Sequence, residues 1–364
     1  MSKGWSLIVL LLAAVQVTAS EINCNGNVTI RNSEDAKTVR ENCKTIAGTL
    51  DLDIFETFNL DGLEEVLGDV VHRCPTKEKG LDYCMDASTT FNISSSTLKM
   101  INGSLALYYY RVENLDFPAL NKVRREISLY NTFNLTHVNL ANLEYFGTFL
   151  LQTPSLIELK LDKFKEFTSL VPYVNIWDTG KLESFDEFFQ NPVNPYNVNN
   201  SVVNPFIDFH PLNVRSLTLG WTRMPSMNIR AKSELTLTLG GPKTEQMEFE
   251  GTLKIGPNVT AINRHDNLKN LTVERFDVQL SAVSDLDLSL NQVTTVSVYG
   301  NPQLRQLRLP SMAQSWKNLT LNIGANDNLL LSVVKDGSDE IIWHWPTGDM
   351  ASVAIHGNMT SDFL

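Results

Sequence analysis

Residues 98–110 read LKMINGSLALYYY. After Leu98, an apolar residue follows three positions on, a glycine two positions later, and then two leucines at alternate positions. The same spacing recurs at four other places, which begin at Cys43, Leu63, Leu120 and Leu143. The copy at Leu63 is shorter, and the copy at Leu143 lacks one residue before its turn. A motif that returns every 20 to 23 residues predicts a stack of similar turns.

A second element precedes several copies and carries apolar residues at offsets 0, 3, 5 and 8. It begins at Val112, Leu135, Leu156 and Leu304. Alternation with a period of two is typical of half-buried strands, and Gly or Asn between strands marks bends. Strands too short to bury a face alone stack on copies of themselves. We therefore predict an all-β chain that forms a parallel β-helix or leucine-rich-repeat-like solenoid, and we call one turn of it a rung.

The spacing of the repeats also predicts the domain organisation. One step between copies, from Leu63 to Leu98, is 35 residues long and contains an insertion that carries two cysteines. The pattern lapses over residues 171–212, which are rich in Pro and Asn and are typical of a long excursion or a lobe junction. About 345 residues exceed the size of a single core. We expect two solenoid lobes, residues 20–170 and 213–364.

The first 19 residues have the features of a secretory signal peptide. Lys3 precedes the apolar run Leu7–Val15, and small residues allow cleavage after Ala19, so that the mature chain begins at Ser20. The apolar run is shorter than the roughly 20 residues that span a bilayer. The last residues lack a lipid-anchor signal. We expect a secreted, extracellular protein that is soluble after processing.

The four cysteines are typical of an oxidising compartment. They are Cys24, Cys43, Cys74 and Cys84. Four cysteines allow three connectivities, and the pairs Cys24 with Cys43 and Cys74 with Cys84 close the two shortest loops. A zinc site is the alternative, but the chain has no CxxC motif and no nearby pair of histidines.

Nine Asn-x-Ser/Thr sequons become acceptors for N-linked glycans if the chain is secreted. They begin at Asn27, Asn92, Asn102, Asn134, Asn199, Asn258, Asn270, Asn318 and Asn358. The formal net charge of -11 disfavours phosphate backbones and acidic lipid surfaces, and the chain has no basic run to overcome it. Nucleic acid is therefore not an expected partner.

Residues 24–70 read CNGNVTIRNSEDAKTVRENCKTIAGTLDLDIFETFNLDGLEEVLGDV. A first cysteine, a polar run, a second cysteine with Thr-Ile-x-Gly-x-Leu and then Leu-Asp-Gly-Leu-x-x-Val-x-Gly-Asp follow one another. This stretch resembles the start of a receptor L-domain, and more closely the fungal GPI-anchored cell-wall organisation proteins of that superfamily. The stretches LDFPALNKV and LRLPSM are similar to the family's rung signature. The resemblance is good over residues 23–165 and looser over residues 213–364.

The resemblance implies a right-handed pair of L-domains, a disulfide between Cys24 and Cys43, and heavy N-glycosylation. It also implies a role in fungal cell-wall organisation and integrity through non-catalytic binding. Cell-wall polysaccharide or other surface glycoproteins are then the expected partners. Membrane association would require a C-terminal anchor that this chain does not carry. The alternatives are a β-helix enzyme that acts on wall polysaccharide and an ectodomain fragment of a membrane-anchored receptor-like protein.

Candidate catalytic groups are sparse, and we expect no enzyme activity, no cofactor and no metal site. The pairs Asp285 with Asp287 and Asp51 with Asp53 each share one strand face, where two carboxylates could act as acid and base. Outward carboxylates that solvate a strand are the simpler interpretation. The six histidines are scattered without ligand spacing.

Two aromatic clusters are candidates for contact with a glycan, because sugars stack on flat rings through their C–H groups. The rings are Tyr108, Tyr110, Trp343 and Trp345. Successive side chains of a strand point to opposite faces, so Tyr108 and Tyr110 should face outward if Leu107 faces the core. The alternative is that these rings cover a rung edge or pack under a loop.

Overall fold

The computed structural model describes residues 22–72, 90–108, 111–196, 206–211, 213–287, 290–308, 315–331 and 347–359. The described residues include two helices, α1 (Ser33–Asn42) and α2 (Asp186–Phe189). The strands as far as α2 are β1 (Val28–Ile30), β2 (Thr45–Ile46), β3 (Leu50–Leu52), β4 (Phe58–Asn59), β5 (Glu65–Val66), β6 (Val70–His72), β7 (Phe91–Ser94), β8 (Met100–Ile101), β9 (Leu105–Tyr108), β10 (Val112–Asp116), β11 (Lys122–Tyr130), β12 (His137–Asn139), β13 (Tyr145–Gln152), β14 (Glu158–Lys160), β15 (Glu166–Phe167) and β16 (Tyr173–Trp177). The strands after α2 are β17 (Phe206–His210), β18 (Ser216–Leu219), β19 (Arg223–Met224), β20 (Ser226–Ile229), β21 (Leu235–Leu239), β22 (Gln246–Ile255), β23 (Val259–Arg264), β24 (Asn270–Gln279), β25 (Asp285–Asp287), β26 (Gln292–Tyr299), β27 (Gln306–Arg308), β28 (Ser315–Gly324), β29 (Leu330–Leu331), β30 (Thr347–Ile355) and β31 (Asn358–Met359).

These strands form a parallel β-solenoid, which confirms the predicted fold class. A sheet of 19 strands, the main sheet, runs along one side. Shorter sheets of five, three, two and two strands line the opposite side. Short strands that stack only on their neighbours bury a continuous aliphatic interior without one large globular core.

The register of the main sheet follows the repeat seen in the sequence. Glu65 pairs with Thr45 on one side and with Met100 on the other. Lys122 in turn pairs with Met100 and with Tyr145. The 35-residue step is therefore one rung with an insertion.

The fifth copy of the repeat, which is one residue short, produces a bulge. The pairing between β11 and β13 joins Val123 to Phe146 and then shifts, so that Glu126 pairs with Thr148. Two residues of β11 thus oppose the single residue Gly147. A side chain at this position would clash with a backbone carbonyl oxygen of the preceding rung, which only glycine avoids.

The first turn of the solenoid is covered by α1. The side chain of Asn32 accepts a hydrogen bond from the backbone N–H of Asp35, which caps the helix. Ala36 and Val39 on its inner face are buried. The helix leads directly into a disulfide, between Cys24 and Cys43, with a Cα–Cα distance of 5.6 Å.

The main sheet continues through the Pro- and Asn-rich stretch. The strand β16 pairs with β13 before it and with β17 after it, both in parallel register. Between β16 and β17, α2 adds Phe188 to an aromatic part of the interior. The ring of Trp221 lies 5.1 Å from that of Phe188, and its indole N–H donates to the Phe188 carbonyl oxygen at 3.0 Å. The division into two lobes stays a prediction.

Within the described residues, neither helix is long and apolar enough to cross a membrane. At the C-terminal side, β30 pairs with β28, and β31 pairs with β29.

Candidate functional site

The outer face of the main sheet carries the most distinctive set of side chains. In each of the strands β16, β17 and β20, alternate residues are buried in the interior and the others point outward. Parallel register places equivalent outward residues on neighbouring rungs in columns. The first column is Tyr173, Phe206 and Ser226, and the second is Asn175, Asp208 and Asn228.

A third column is made almost entirely of rings. It consists of five residues that are paired in register on successive rungs, namely Tyr108, Tyr130, Gln152, Trp177 and His210. Trp177 is 41% exposed, although it is one of the largest apolar side chains. Tyr108 and Tyr130 are half-buried, and Leu107, one position before Tyr108, is buried in the interior.

The first column contributes two more rings on neighbouring rungs. The rings of Tyr173 and Phe206 are nearly parallel, with an interplanar angle of 9° and a centroid separation of 6.3 Å. Both side chains are half-buried. We define the aromatic strip as the five rings on the outer face of these rungs. Its members are Tyr108, Tyr130, Tyr173, Trp177 and Phe206.

Beside the aromatic strip lies a polar cluster of Asp208, His210, Asn228 and Arg230. Asp208 Oδ1 lies 2.7 Å from His210 Nε2 and accepts a hydrogen bond from Asn228 Nδ2 at 2.9 Å. Arg230 Nε points at the same His210 Nε2 at 2.7 Å. One ring nitrogen can either donate to the carboxylate or accept from the guanidinium, so the tautomer of His210 decides which contact forms.

The protonation states of this face follow from its burial and its charges. Burial raises the pKa of Asp208, but the hydrogen bond and the charge of His210, together with Arg230 and Asn228, outweigh it and hold that pKa below its usual value. The carboxyl group is therefore ionised near neutral pH. Burial, and then the negative charge of Asp208, raise the pKa of Tyr173. Its phenol therefore keeps its proton and is available as a hydrogen-bond donor.

Two side-chain amide oxygens on this face have no hydrogen-bond partner within the described residues. They are Gln152 Oε1, which lies in the third column between Tyr130 and Trp177, and Asn228 Oδ1 in the second column. A buried acceptor without a partner loses free energy relative to water. Either oxygen can accept a hydrogen bond from an external hydroxyl group, and the Asn228 amide is held in its orientation by its Nδ2, which donates to Asp208 Oδ1.

The predicted glycosylation sites lie outside the aromatic strip. Four sequon asparagines are exposed, namely Asn27, Asn258, Asn270 and Asn318. Three others are half-buried, namely Asn92, Asn102 and Asn134. Asn199 and the side chain of Asn358 lie outside the described residues. The strands β11, β13, β16, β17 and β20 contain no sequon, so glycans at the described sites would start from other parts of the surface.

The carboxylate pairs from the sequence lie elsewhere on the solenoid. Asp285 and Asp287 are exposed on either side of the buried Leu286, and their register partners are Gln306 and Arg308. No group of three or more His, Cys, Asp or Glu side chains within the described residues is arranged to hold a metal ion.

The second pair lies at the N-terminal end of the outer face. Asp51 and Asp53 line an open groove of about 490 Å³ together with Asp69, Asn27 and Thr49. The groove lies on the rungs of β1, β3 and β6, and β6 pairs with β9, which carries Tyr108. Besides Asn199, five of the predicted site residues lie outside the described residues, namely Cys74, Cys84, Tyr110, Trp343 and Trp345.

Comparison with known proteins adds no family assignment. No family model matches the sequence, and no curated protein or solved structure shows significant similarity to the chain.

Sequence reasoning found Tyr108 but missed four rings of the aromatic strip. A usable signal exists, since Tyr108, Tyr130, Trp177 and His210 each directly follow the last buried apolar residue of their strand. Comparison of that single position between rungs would have revealed the third column. Phe206 and Tyr173 each open a strand and share the same signal at its other end.

Proposed function

We propose that the protein is a secreted, N-glycosylated protein of the fungal cell surface or cell wall. It acts there without catalysis, by binding polysaccharide or the glycans of other surface proteins on the aromatic strip. The signal-like N-terminus, the nine sequons and the resemblance to cell-wall organisation proteins support the location. The aromatic strip and the polar cluster on the outer face of the main sheet support glycan binding as the mode of action.

The observation that carries the proposal is the exposed ring of Trp177 within a column of rings. An indole that is 41% exposed keeps a large apolar surface in contact with water. Burial of apolar surface is favourable by roughly 25 cal/mol per Å², so a ligand that covers this ring gains affinity. A sugar ring fits because its C–H face is apolar and its edge carries hydroxyl groups.

The polar cluster supplies the second requirement of such a site. Ligand sites combine apolar contact with a few polar groups that fix orientation. The carboxylate of Asp208 accepts hydrogen bonds from hydroxyl groups, and the guanidinium of Arg230 donates them. Because His210 and Asn228 hold Asp208 in place, its orientation is set before a ligand arrives.

Deletion of the gene, followed by growth on wall-perturbing dyes, tests the proposal in the cell. We expect deletion to increase sensitivity, and we expect a wild-type copy but not a Trp177→Ala copy to restore normal growth. Tyr299→Ala is the matched control, because Tyr299 is also an exposed ring of the main sheet, at 50%, and lies outside the aromatic strip. Normal growth of the deletion strain, or full rescue by Trp177→Ala, would contradict the proposal.

A further inference from the structure

The spacing of the rings along the solenoid defines a straight track. Neighbouring strands of a sheet lie about 4.8 Å apart, so each rung advances the third column by that distance. Tyr108, Tyr130, Gln152 and Trp177 occupy four successive rungs. Tyr130 and Trp177 are thus separated by two rungs, which corresponds to about 9.6 Å.

The width of the track follows from the strand direction. Tyr173 and Trp177 are four residues apart on the same strand, which corresponds to about 13 Å at 3.3 Å per residue. The rings of the first column and those of the third column therefore flank a strip of polar side chains, which includes Asn175 and Asp208. One extended chain fits along the third column, with the polar strip on one side of it.

From this geometry we propose that the ligand is an unbranched β-1,4-linked hexopyranose chain that lies parallel to the solenoid axis. The inference rests on the proposed glycan-binding function and specifies its ligand class. In a β-1,4-linked chain the linkages are equatorial, so the chain is a flat ribbon in which each sugar is turned over relative to the last. Every second sugar therefore presents the same face, and two sugars cover about the length of two rungs.

The match assigns a role to each rung of the track. One sugar stacks on Tyr130, and the next but one stacks on Trp177. The sugar between them lies over Gln152, whose Oε1 has no partner within the described residues and accepts a hydroxyl hydrogen bond after rotation. A fourth sugar reaches Tyr108. A β-1,3-linked chain curves, so its rings leave a straight column after two or three sugars.

Calorimetric titration of the full-length glycosylated protein with tetrasaccharides tests the inference. The probes are cellotetraose and chitotetraose, which share the linkage and differ at the 2-position, and laminaritetraose, which is β-1,3-linked. We expect at least one β-1,4-linked tetramer to bind at least tenfold more tightly than laminaritetraose and than its own disaccharide. Because cellotetraose and chitotetraose differ only at the 2-position, the tighter of the two identifies the sugar.

Single-residue variants test whether the ligand binds along the track. Trp177→Ala should weaken binding of the preferred tetramer at least tenfold, and Tyr130→Ala should weaken it several-fold. Tyr299→Ala should leave the affinity unchanged, since Tyr299 lies five rungs beyond Trp177, about 24 Å away. Circular dichroism of each variant checks that the solenoid is intact.

The outcomes separate this inference from the function on which it rests. If laminaritetraose or the disaccharide bound as tightly as the preferred β-1,4-linked tetramer, the β-1,4 track would be overturned and glycan binding would remain. Retention of full affinity by Trp177→Ala would overturn the track as well. If the protein bound no glycan at all, the proposed function would be overturned together with the inference. The same would follow if it bound a purified surface protein from which the glycans had been removed.

Discussion

Replacement of His72 by leucine should remove a large part of the acid sensitivity of this protein. His72 belongs to an inward column of the main sheet, where its register partner on the next rung is Leu107. Its side chain is fully buried, and its ring meets that of Phe55 edge to face at 5.6 Å. Burial lowers the pKa of His72 to about 3, and a hydrogen bond with the backbone of Tyr108 offsets this only in part.

The magnitude follows from linkage between protonation and folding. Above pH of about 6.5 the imidazole is neutral in both states and contributes nothing. As the pH falls, the unfolded chain binds a proton that the folded chain refuses until about pH 3, so the free energy of unfolding decreases. The decrease is about 1.4 kcal/mol per pH unit, which amounts to about 3 kcal/mol at pH 4.5.

Urea denaturation at pH 7.5 and pH 4.5 measures this term as a difference between variants. His72→Leu should change the free energy of unfolding by about 1 kcal/mol or less at pH 7.5, because leucine fills the same column on the next rung. At pH 4.5 the variant should be more stable than the wild type by an additional 3 kcal/mol or so. His137→Leu is the control, since His137 is exposed on β12. Parallel pH dependences of wild type and His72→Leu would refute the reasoning.

Other predictions concern the interior and the first turn. Asn301 is buried, accepts from the N–H and hydroxyl of its neighbour on the previous rung, and donates to a carbonyl oxygen at 3.0 Å. Asn301→Ala should therefore lower the free energy of unfolding by about 2 to 4 kcal/mol, whereas Asn263→Ala, at an exposed position, should not. Reduction of the disulfide between Cys24 and Cys43 should cost about 3 kcal/mol on the chain-entropy model, measured by denaturation with and without reductant. Asp208→Asn should weaken binding of the preferred glycan several-fold in calorimetry. Unchanged affinity would show that the carboxylate does not contribute to binding.

The fold could be predicted in detail because it depends on a local pattern. Each rung repeats the same order of apolar positions, and the pairs Thr45 with Glu65 and Lys122 with Tyr145 follow the predicted steps of 20 and 23 residues. The bulge at Gly147 coincides with the one residue that the fifth copy lacks. A missing residue can be seen in the sequence, and only a shift in pairing can accommodate it.

The candidate site could not be predicted because its residues are distant in sequence and the rungs differ in length. Trp177 and His210 are neighbours in one column although 33 residues separate them, and α2 lies in between. The spacing from Tyr130 to Trp177 contains two rungs of unequal length. The inward position of His72 is a similar case, since a lone histidine at the end of a short strand has no periodicity of its own. Strand register is what brings these residues together.

A crystal structure of the protein with the tighter-binding β-1,4-linked tetrasaccharide tests the central claim most directly. The sugar chain should lie along the outer face of the main sheet, parallel to the solenoid axis, with one ring stacked on Trp177 and the next but one on Tyr130. A hydroxyl group of the sugar between them should lie within hydrogen-bond distance of Gln152. A sugar chain that binds elsewhere on the solenoid, for example in the groove beside Asp51, and leaves Trp177 uncovered would contradict the account.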